Sequence, residues 1–306
     1  KMKICAACSQ ELPKEKFSKK QWQLKGQRRC KECIAGNREV NLDVVPTDDA
    51  PPPVSSAMGG KGASHWTDEE LFKEPQREEC PICMLLLPIN IDEISYHSCC
   101  GKTLCAGCIH ADDMREENVR RLCPFCRTPA ATSDEEYMKR INTRAEADDA
   151  NAIYMLGKCS DDGLYGLPQN HRKANKLWLR AGKLGCEDAY HNIGSSYYTG
   201  EGVERDAGKA TYYYELAAMG GGVVARYNLG FREIDAGNVD RAVKHHMIAA
   251  AAGHDDSLAT IRVCFKHGHA TKEDFEKALR AHKEATDEMK SEQRDAATAF
   301  RAERYA

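Results

Sequence analysis

Ala189 to Gly221 reads AYHNIGSSYYTGEGVERDAGKATYYYELAAMGG. Two helical stretches flank the turn Thr199-Gly200-Glu201-Gly202-Val203, where the glycines let the backbone reverse. The first stretch carries Ala189-x-x-x-Ile193-Gly194, and the second carries Ala210 and Ala217 at seven-residue spacing. Small residues on matching faces let two helices approach closely, so the stretch predicts a helical hairpin. The pattern recurs upstream as Ala152-x-x-x-Leu156-Gly157 with Ala174 and Ala181, and downstream as Ala225-x-x-x-Leu229-Gly230 with Ala242 and Ala249. A weaker form follows as Ala259-x-x-x-Val263-Cys264 with Ala278 and Ala285, and the successive offsets are 37, 36 and 34 residues. Such a period marks a repeat array, in which stacked units bury a core that no single unit can form.

These residues resemble Sel-one-like repeats, most specifically in the Ala189 copy, over residues 150 to 290. The resemblance implies αα-hairpins stacked as in tetratricopeptide arrays, with a concave face for protein partners. The third copy has a shorter turn, Phe231 to Asn238, without the paired glycines, and the fourth has Cys264 where the others have glycine, so tight packing is least expected there. A charged helix from Ala281 to Ala306 is expected to cap the array, with Met289, Ala296 and Phe300 as its apolar stripe.

Proline divides the chain. Ten of eleven prolines lie before residue 130 and none follows Pro168, so the last 138 residues can run as helices and short turns while the first part cannot. Of 306 residues, 42% are hydrophobic and 30% charged, which suits two or three globular domains and excludes fibrous or wholly disordered chains. The longest apolar run, Met84 to Leu87 and on to Ile91, is broken by Pro88 and Asn90 and falls far short of the ~20 residues of a bilayer span, so no membrane partner is expected. A net charge of −3 gives no overall attraction to nucleic acid or anionic lipid and leaves only local patches. The first residue is Lys1 rather than methionine, which suggests a piece of a longer chain with any upstream targeting segment unseen.

Cysteine use sets the class of the first half. Twelve of fifteen cysteines fall in the first 126 residues as Cys5/Cys8, Cys30/Cys33, Cys80/Cys83, Cys99/Cys100, Cys105/Cys108 and Cys123/Cys126, enough for three tetrahedral zinc ions. A secreted disulfide framework also clusters cysteines, but two-residue spacers suit one metal better than crosslinks, and no extracellular signature accompanies them. A thioredoxin-type redox pair needs a βαβ setting that the Pro- and Gly-punctuated surroundings do not offer. Zinc in a reducing, intracellular setting, cytoplasm or nucleus, is the expectation. Pro46 to Lys61 is rich in Pro, Ser and Gly and reads as a mobile tether between two zinc modules. The predicted fold is multidomain, with small zinc-stabilised α+β modules at residues 1–40 and 78–130 joined by a flexible linker over 41–77. A connecting helix over 131–149, an all-α superhelical repeat array over 150–290 and the charged capping helix over 291–306 complete it.

From Cys80 the spacing is Cys80-x2-Cys83-x15-Cys99-Cys100-x4-Cys105-x2-Cys108-x14-Cys123-x2-Cys126. Eight ligands in four pairs are too many for one ion and too interleaved for two independent knuckles. A cross-brace fits, with Cys80, Cys83, Cys105 and Cys108 on one ion and Cys99, Cys100, Cys123 and Cys126 on the other. Together with Cys-Pro-Ile-Cys at 80–83, a polar amphipathic segment from Ala111 to Arg121, and Cys123-Pro124-Phe125-Cys126-Arg127, this stretch resembles a RING finger. It is most similar to the all-cysteine RING in the ubiquitin ligase of the Not deadenylase complex. That family has one residue between the cysteines of the second pair and this chain has none, so His97, three residues before Cys100, rivals Cys99 as the ligand. Four thiolates saturate a tetrahedral ion and leave no position for water, so the zinc is structural.

The RING resemblance implies a docking surface for a ubiquitin-conjugating enzyme charged with ubiquitin. Ile82 and Pro124 would be its apolar contacts, and Arg127 would bridge conjugating enzyme and ubiquitin through a permanently charged guanidinium. Catalysis would be orientation of the donor thioester, with no covalent intermediate on this chain. The bland alternative for Arg127 is a solvated charge. The spare cysteines, Cys159, Cys186 and Cys264, read as buried filler in the repeats.

Cys5-x2-Cys8-x21-Cys30-x2-Cys33 is spaced for a single zinc, with Leu12, Phe17, Trp22 and Leu24 available for a miniature core. With Phe17-Ser18-Lys19 and Gln21 between the pairs, it looks like the Stc-one type of zinc domain, an interaction module of heterochromatin and RNA-silencing factors. Lys14 to Arg38 holds nine Lys/Arg against two Glu, so nucleic acid is a candidate partner here and a solvated rim is the alternative. Histidines in the repeat half, including His245-His246, lack ligand spacing and read as surface residues. Taken together, these resemblances imply a RING-type ubiquitin ligase that recruits a protein substrate or adaptor through its repeats, raising effective concentration. A non-enzymatic scaffold and a nucleic-acid-associated regulator are the alternatives.

Overall fold

The structure is a computed structural model and describes residues 2–4, 11–16, 66–74, 77–115 and 122–305. Contacts divide the chain into two units, Lys1–Pro53 and Val54–Ala306. In the first unit β1 (Met2–Ile4) pairs antiparallel with β2 (Glu11–Pro13), Met2 opposite Pro13, and a 3-10 turn follows over Lys14–Lys16. Cys5, Cys8, Cys30, Cys33 and Trp22 lie outside the described residues, as does the tether read over Pro46 to Lys61.

In the second unit, α1 (Asp68–Leu71) is a single turn within the span read as linker, and its Leu71 is fully buried. The cysteine module follows. Its β3 (Ile94–His97) pairs antiparallel with β4 (Lys102–Cys105), which runs directly into α2 (Ala106–Asp113). The module's core is small: Leu87, Leu104 and the cysteines Cys80, Cys105 and Cys108, with Ile94 and Ile109 packed against them. So little hydrocarbon cannot order loops alone, and sulfur occupies positions that a larger domain fills with aliphatic side chains.

Helix α3 (Asp134–Glu146) leads into four hairpins. These are α4 (Ala150–Asp162) with α5 (His171–Lys183), α6 (Glu187–Thr199) with α7 (Ala207–Gly220), α8 (Val223–Asp235) with α9 (Val239–Ala251), and α10 (Asp255–Lys266) with α11 (Lys272–Met289). The starts are set chemically: Ser133, Asp149, Asn170, Asp206 and Thr271 each accept from the backbone N–H three residues on. Gly200 ends α6 at φ +90°, in the left-handed region that glycine enters freely. The nine alanines that mark the first three copies are fully buried. Each first-helix glycine receives a ring from the second helix: a Cβ at Gly157 would lie 2.5 Å from Trp178 Cδ1, at Gly194 2.7 Å from Tyr214 Cδ1, and at Gly230 2.6 Å from His246 Cε1. No helix among the described residues is long and apolar enough to cross a membrane.

Three expectations are corrected. His245 and His246 are fully buried rather than at the surface, because His246 stands four residues after Ala242, as Trp178 does after Ala174 and Tyr214 after Ala210. In the fourth copy the register is shifted by two: Ser257, third residue of α10, and Ile261 are fully buried, while Val263 is 51% exposed. The charged helix expected from Ala281 to Ala306 is interrupted at Lys290, and Ser291 Oγ accepts from Arg294 N–H (3.3 Å) to start α12 (Glu292–Tyr305). Helix α12 packs against α2 of the cysteine module. Its buried residues are Arg294 and Ala297, whereas Ala296 faces solvent.

Candidate metal centre

Two segments of the cysteine module share one local fold. In the first, Met84 N–H donates to Cys80 O (2.9 Å), Cys80 N–H donates to Leu85 O (2.9 Å), and Glu79 bridges to Leu86. In the second, Arg127 N–H donates to Cys123 O (2.9 Å), Cys123 N–H donates to Thr128 O (2.8 Å), and Leu122 bridges to Pro129. Met84 and Arg127 both adopt φ +59°, a left-handed conformation uncommon without glycine. Each knuckle thereby turns both sulfurs of its Cys-x-x-Cys pair toward one point.

Cys80, Cys83, Cys105 and Cys108 bring their sulfurs within 4.8 Å of one another, and Cys99, Cys100, Cys123 and Cys126 do the same. The sets are interleaved, first pair with third and second with fourth. Every described cysteine is free of disulfides. A regular tetrahedron with zinc–sulfur arms of about 2.3 Å has edges of about 3.8 Å. The sulfur separations are 3.8 Å for Cys80–Cys108 and Cys83–Cys105, 3.9 Å for Cys100–Cys123 and 3.4 Å for Cys99–Cys126. The donor sets fit zinc. Burial pushes the thiols of Cys99, Cys100, Cys105 and Cys108 up, whereas hydrogen bonds from neighbouring groups outweigh burial at Cys80 and Cys126 and pull their thiols down.

Cys99, not His97, brings its donor atom into the second group. The tight turn after β3 makes adjacent ligands compatible: Cys100 N–H and Gly101 N–H both donate to His97 O, at 3.2 and 2.8 Å. His97 Nε2 is buried without a hydrogen-bond partner, and burial lowers the imidazole pKa. Behind the first group stands Arg294, which sequence reasoning missed. It donates through Nη1 to Leu86 O (2.9 Å) and Met289 O (2.7 Å) and through Nη2 to Cys83 Sγ (3.6 Å). Gly107 of α2 admits this helix, since a Cβ there would lie 2.7 Å from Arg294 Cγ.

On the outer side of the module, Ile82 is 40% exposed and Pro124 is half-buried, and sequence reasoning overlooked Met84 (65% exposed) and Phe125 (42%) beside them. Their place in the two knuckles was the available signal. Arg127 is exposed but engaged: Nη1 lies 3.0 and 3.2 Å from the two carboxylate oxygens of Asp112, which is itself buried on α2. The module is fastened to the repeats. Arg144 Nε donates to both Tyr96 Oη (3.2 Å) and Asp149 Oδ2 (2.9 Å), and Arg77 joins Leu87 O (2.8 Å) to Ala252 O (2.9 Å). Between module and array lies a cavity of about 360 Å³, lined by Leu87, Ile94, Glu187 and His191 among others. Burial there pushes Glu187 up to about 7.

Residues 150–186, 187–222 and 257–280 match the Sel1 repeat family. Hairpin α8–α9, between the last two matched stretches, has the same helical architecture. Over 102 residues the chain is 34% identical to the ERAD-associated E3 ubiquitin-protein ligase component HRD3B of Arabidopsis thaliana, and 32% identical to HRD3A of the same plant. Each match covers 31% of this chain, which spans only 17% and 15% of those proteins' lengths. Among solved structures, the Sel1 repeat protein from Oxalobacter formigenes is similar with 22% identity and a TM-score of 0.46, over 59% of this chain and 71% of that one. A protective antigen of uropathogenic Escherichia coli with an SLR fold is similar with 19% identity and a TM-score of 0.45, over 58% of this chain and 43% of that one. The chain carries Sel1 repeats, and they belong to an all-helical array suited to protein–protein interaction.

Proposed function

We propose that residues 78–130 form a zinc-loaded RING finger and that the chain is a ubiquitin ligase recruiting a protein substrate or adaptor through its Sel1 repeats. The observation carrying this reading is the gathering of eight sulfurs into two interleaved groups of tetrahedral size. Zinc bound there supplies folding energy, on the order of 10 kcal/mol per ion in comparable modules. The chain's own residues do the rest. Ile82, Met84, Pro124 and Phe125 offer an apolar face to a ubiquitin-conjugating enzyme, and Arg127, steadied by Asp112, presents its remaining donors to ubiquitin. Holding the carrier thioester in an attack-ready orientation lowers the barrier without a nucleophile from this chain. The chain's likeness over 102 residues to proteins named as components of an E3 ubiquitin-protein ligase supports the same setting. Cys5, Cys8, Cys30 and Cys33 are proposed to hold a third zinc, so metal analysis of the full chain should return three ions. A reducing, intracellular environment follows from so many thiolate ligands.

Incubating the full chain with ubiquitin, activating enzyme and a panel of conjugating enzymes should yield self-ubiquitination that Ile82→Ala abolishes. Absence of chains with every carrier overturns the ligase reading. One observation favours a second reading, a non-enzymatic scaffold: the ion pair with Asp112 gives Arg127 a structural occupation of its own.

A further inference from the structure

Thr67 to Lys73 lies against the second and third hairpins as a bound peptide would, with α1 packed on α7 and the segment's side chains and carbonyls reaching α8 and α9. Thr67 N–H donates to Glu70 Oε2 (3.0 Å) and Glu70 N–H donates back to Thr67 Oγ1 (3.3 Å), a capping box that shapes α1 from within. Leu71 is fully buried. The Phe72 ring stands 4.7 Å from that of His245, with Arg241 Cζ 5.4 Å and Lys244 Nζ 5.2 Å from its centroid. The same two cations pair with Asp68, Arg241 directly and Lys244 at 3.4 Å.

Arg226 of α8 is only 1% exposed, and its Nη1 and Nη2 donate to the carbonyls of Leu71 (2.8 Å) and Lys73 (2.9 Å). Burial pulls its pKa down to about 10, so the segment's carbonyls supply acceptors that a buried cation needs. Main-chain carbonyls are common to every peptide, so Arg226 reads backbone. Arg241, Lys244 and His245 read side chains: a carboxylate and, four positions later, an aromatic ring. In sequence the segment follows the Pro-, Ser- and Gly-rich stretch Pro46 to Lys61 and precedes Pro75, the setting of a short linear motif.

We infer that this face of α8 and α9 is a recognition site for acidic–aromatic segments of the form Asp-x-x-Leu-Phe, which the chain fills with Asp68–Phe72 until a partner protein bearing such a segment displaces it. The inference deepens the reading of the array as a recruiting surface and rests on it. It is independent of the cysteine module, so peptide binding and ubiquitin transfer can fail separately.

The test titrates a fluorescent synthetic peptide, Ser64 to Pro75, against the full chain and against the vacated variant Asp68→Ala/Phe72→Ala, with circular dichroism to confirm folding. A tethered competitor acts at an effective concentration near the millimolar range, so the vacated variant should bind at least about tenfold more tightly than the wild type. Asp68→Asn, which removes charge alone, should fall between them and covers the case in which the double variant misfolds. Adding Arg241→Glu/Lys244→Glu should abolish binding of the native peptide and permit binding of a peptide carrying Asp68→Lys. Equal affinity for wild type and Asp68→Asn, no binding by a folded vacated chain, or indifference to the charge reversal would each overturn the inference.

Discussion

Arg294 and Cys83, 211 residues apart in sequence, meet with Nη2 3.6 Å from Sγ, so α12 braces a candidate metal ligand of the first cysteine group. Because the same guanidinium also satisfies the Leu86 and Met289 carbonyls, Arg294→Ala should lower stability by about 3 kcal/mol. It should also weaken metal retention by roughly tenfold, as loss of ligand-orienting partners does elsewhere. Urea titration and competition with a chromogenic chelator measure the two effects. Arg294→Lys should recover little, since an ammonium cannot span the same acceptors; full rescue by lysine would contradict the bracing role.

Arg127 and Asp112 separate a structural from a catalytic arginine. If Arg127 contacts ubiquitin, Arg127→Ala should slow chain formation by about tenfold, a barrier change of about 1.4 kcal/mol. Asp112→Asn, which keeps the arginine and weakens only the ion pair, should slow it far less. Equal losses in transfer, matched by equal losses in thermal stability, would assign the arginine to packing alone.

The glycine–ring contacts predict opposite effects at two helical glycines. Gly194→Ala drives a methyl to 2.7 Å from Tyr214 Cδ1 and should destabilise the array by about 1–3 kcal/mol. Gly208→Ala, exposed in the first turn of α7 with nothing nearer than Asp206 Oδ1 at 3.4 Å, should stabilise it by about 0.5–1 kcal/mol. Thermal melts of the two variants decide it, and matching signs would mean the ring yields freely.

Burial, with the cations of Arg226 and Arg241 nearby, holds His245 at about 3, and burial beside His254 holds His246 at about 4, against 6.5 for a free imidazole. Below that free value the unfolded chain binds protons that the folded chain refuses, so stability falls as pH drops from 6.5 toward 4. Glu187 opposes this: its folded carboxyl keeps a proton up to about 7, whereas the unfolded one releases it near 4.5, so its contribution declines as pH rises through that window. His246→Phe isolates one histidine while keeping a ring on Gly230. It should be near neutral above pH 7 and should gain about 2 kcal/mol over the wild type near pH 5 in paired urea melts. A difference independent of pH would place the charge change elsewhere.

Spacing and periodicity are local, and what depends on them was readable in the chain. The alternation of cysteine pairs forecast the two groups in which sulfurs lie together, with His97 left open against Cys99, and small residues at seven-residue intervals forecast the buried alanines. What escaped are contacts without a local pattern. Arg226 and Arg294 drew no reading, because nothing near them in sequence reveals carbonyls waiting more than 150 residues away. The fourth repeat was read in the wrong register because alanine at position 259 resembled the other copies, while the position that packs holds Ser257. His246 was within reach, had its offset from Ala242 been weighed against Trp178 and Tyr214 rather than its polarity.

The brackets formed by Arg77, Arg144 and Arg294 make module and solenoid a single jig. On the proposed ligase reading, cargo gripped by the helices would be presented to the knuckle tips at one bearing and one distance. Which surface lysine lies in reach would then be settled by how the cargo is seated, and lengthening the stretch before Trp66 should leave that choice unchanged.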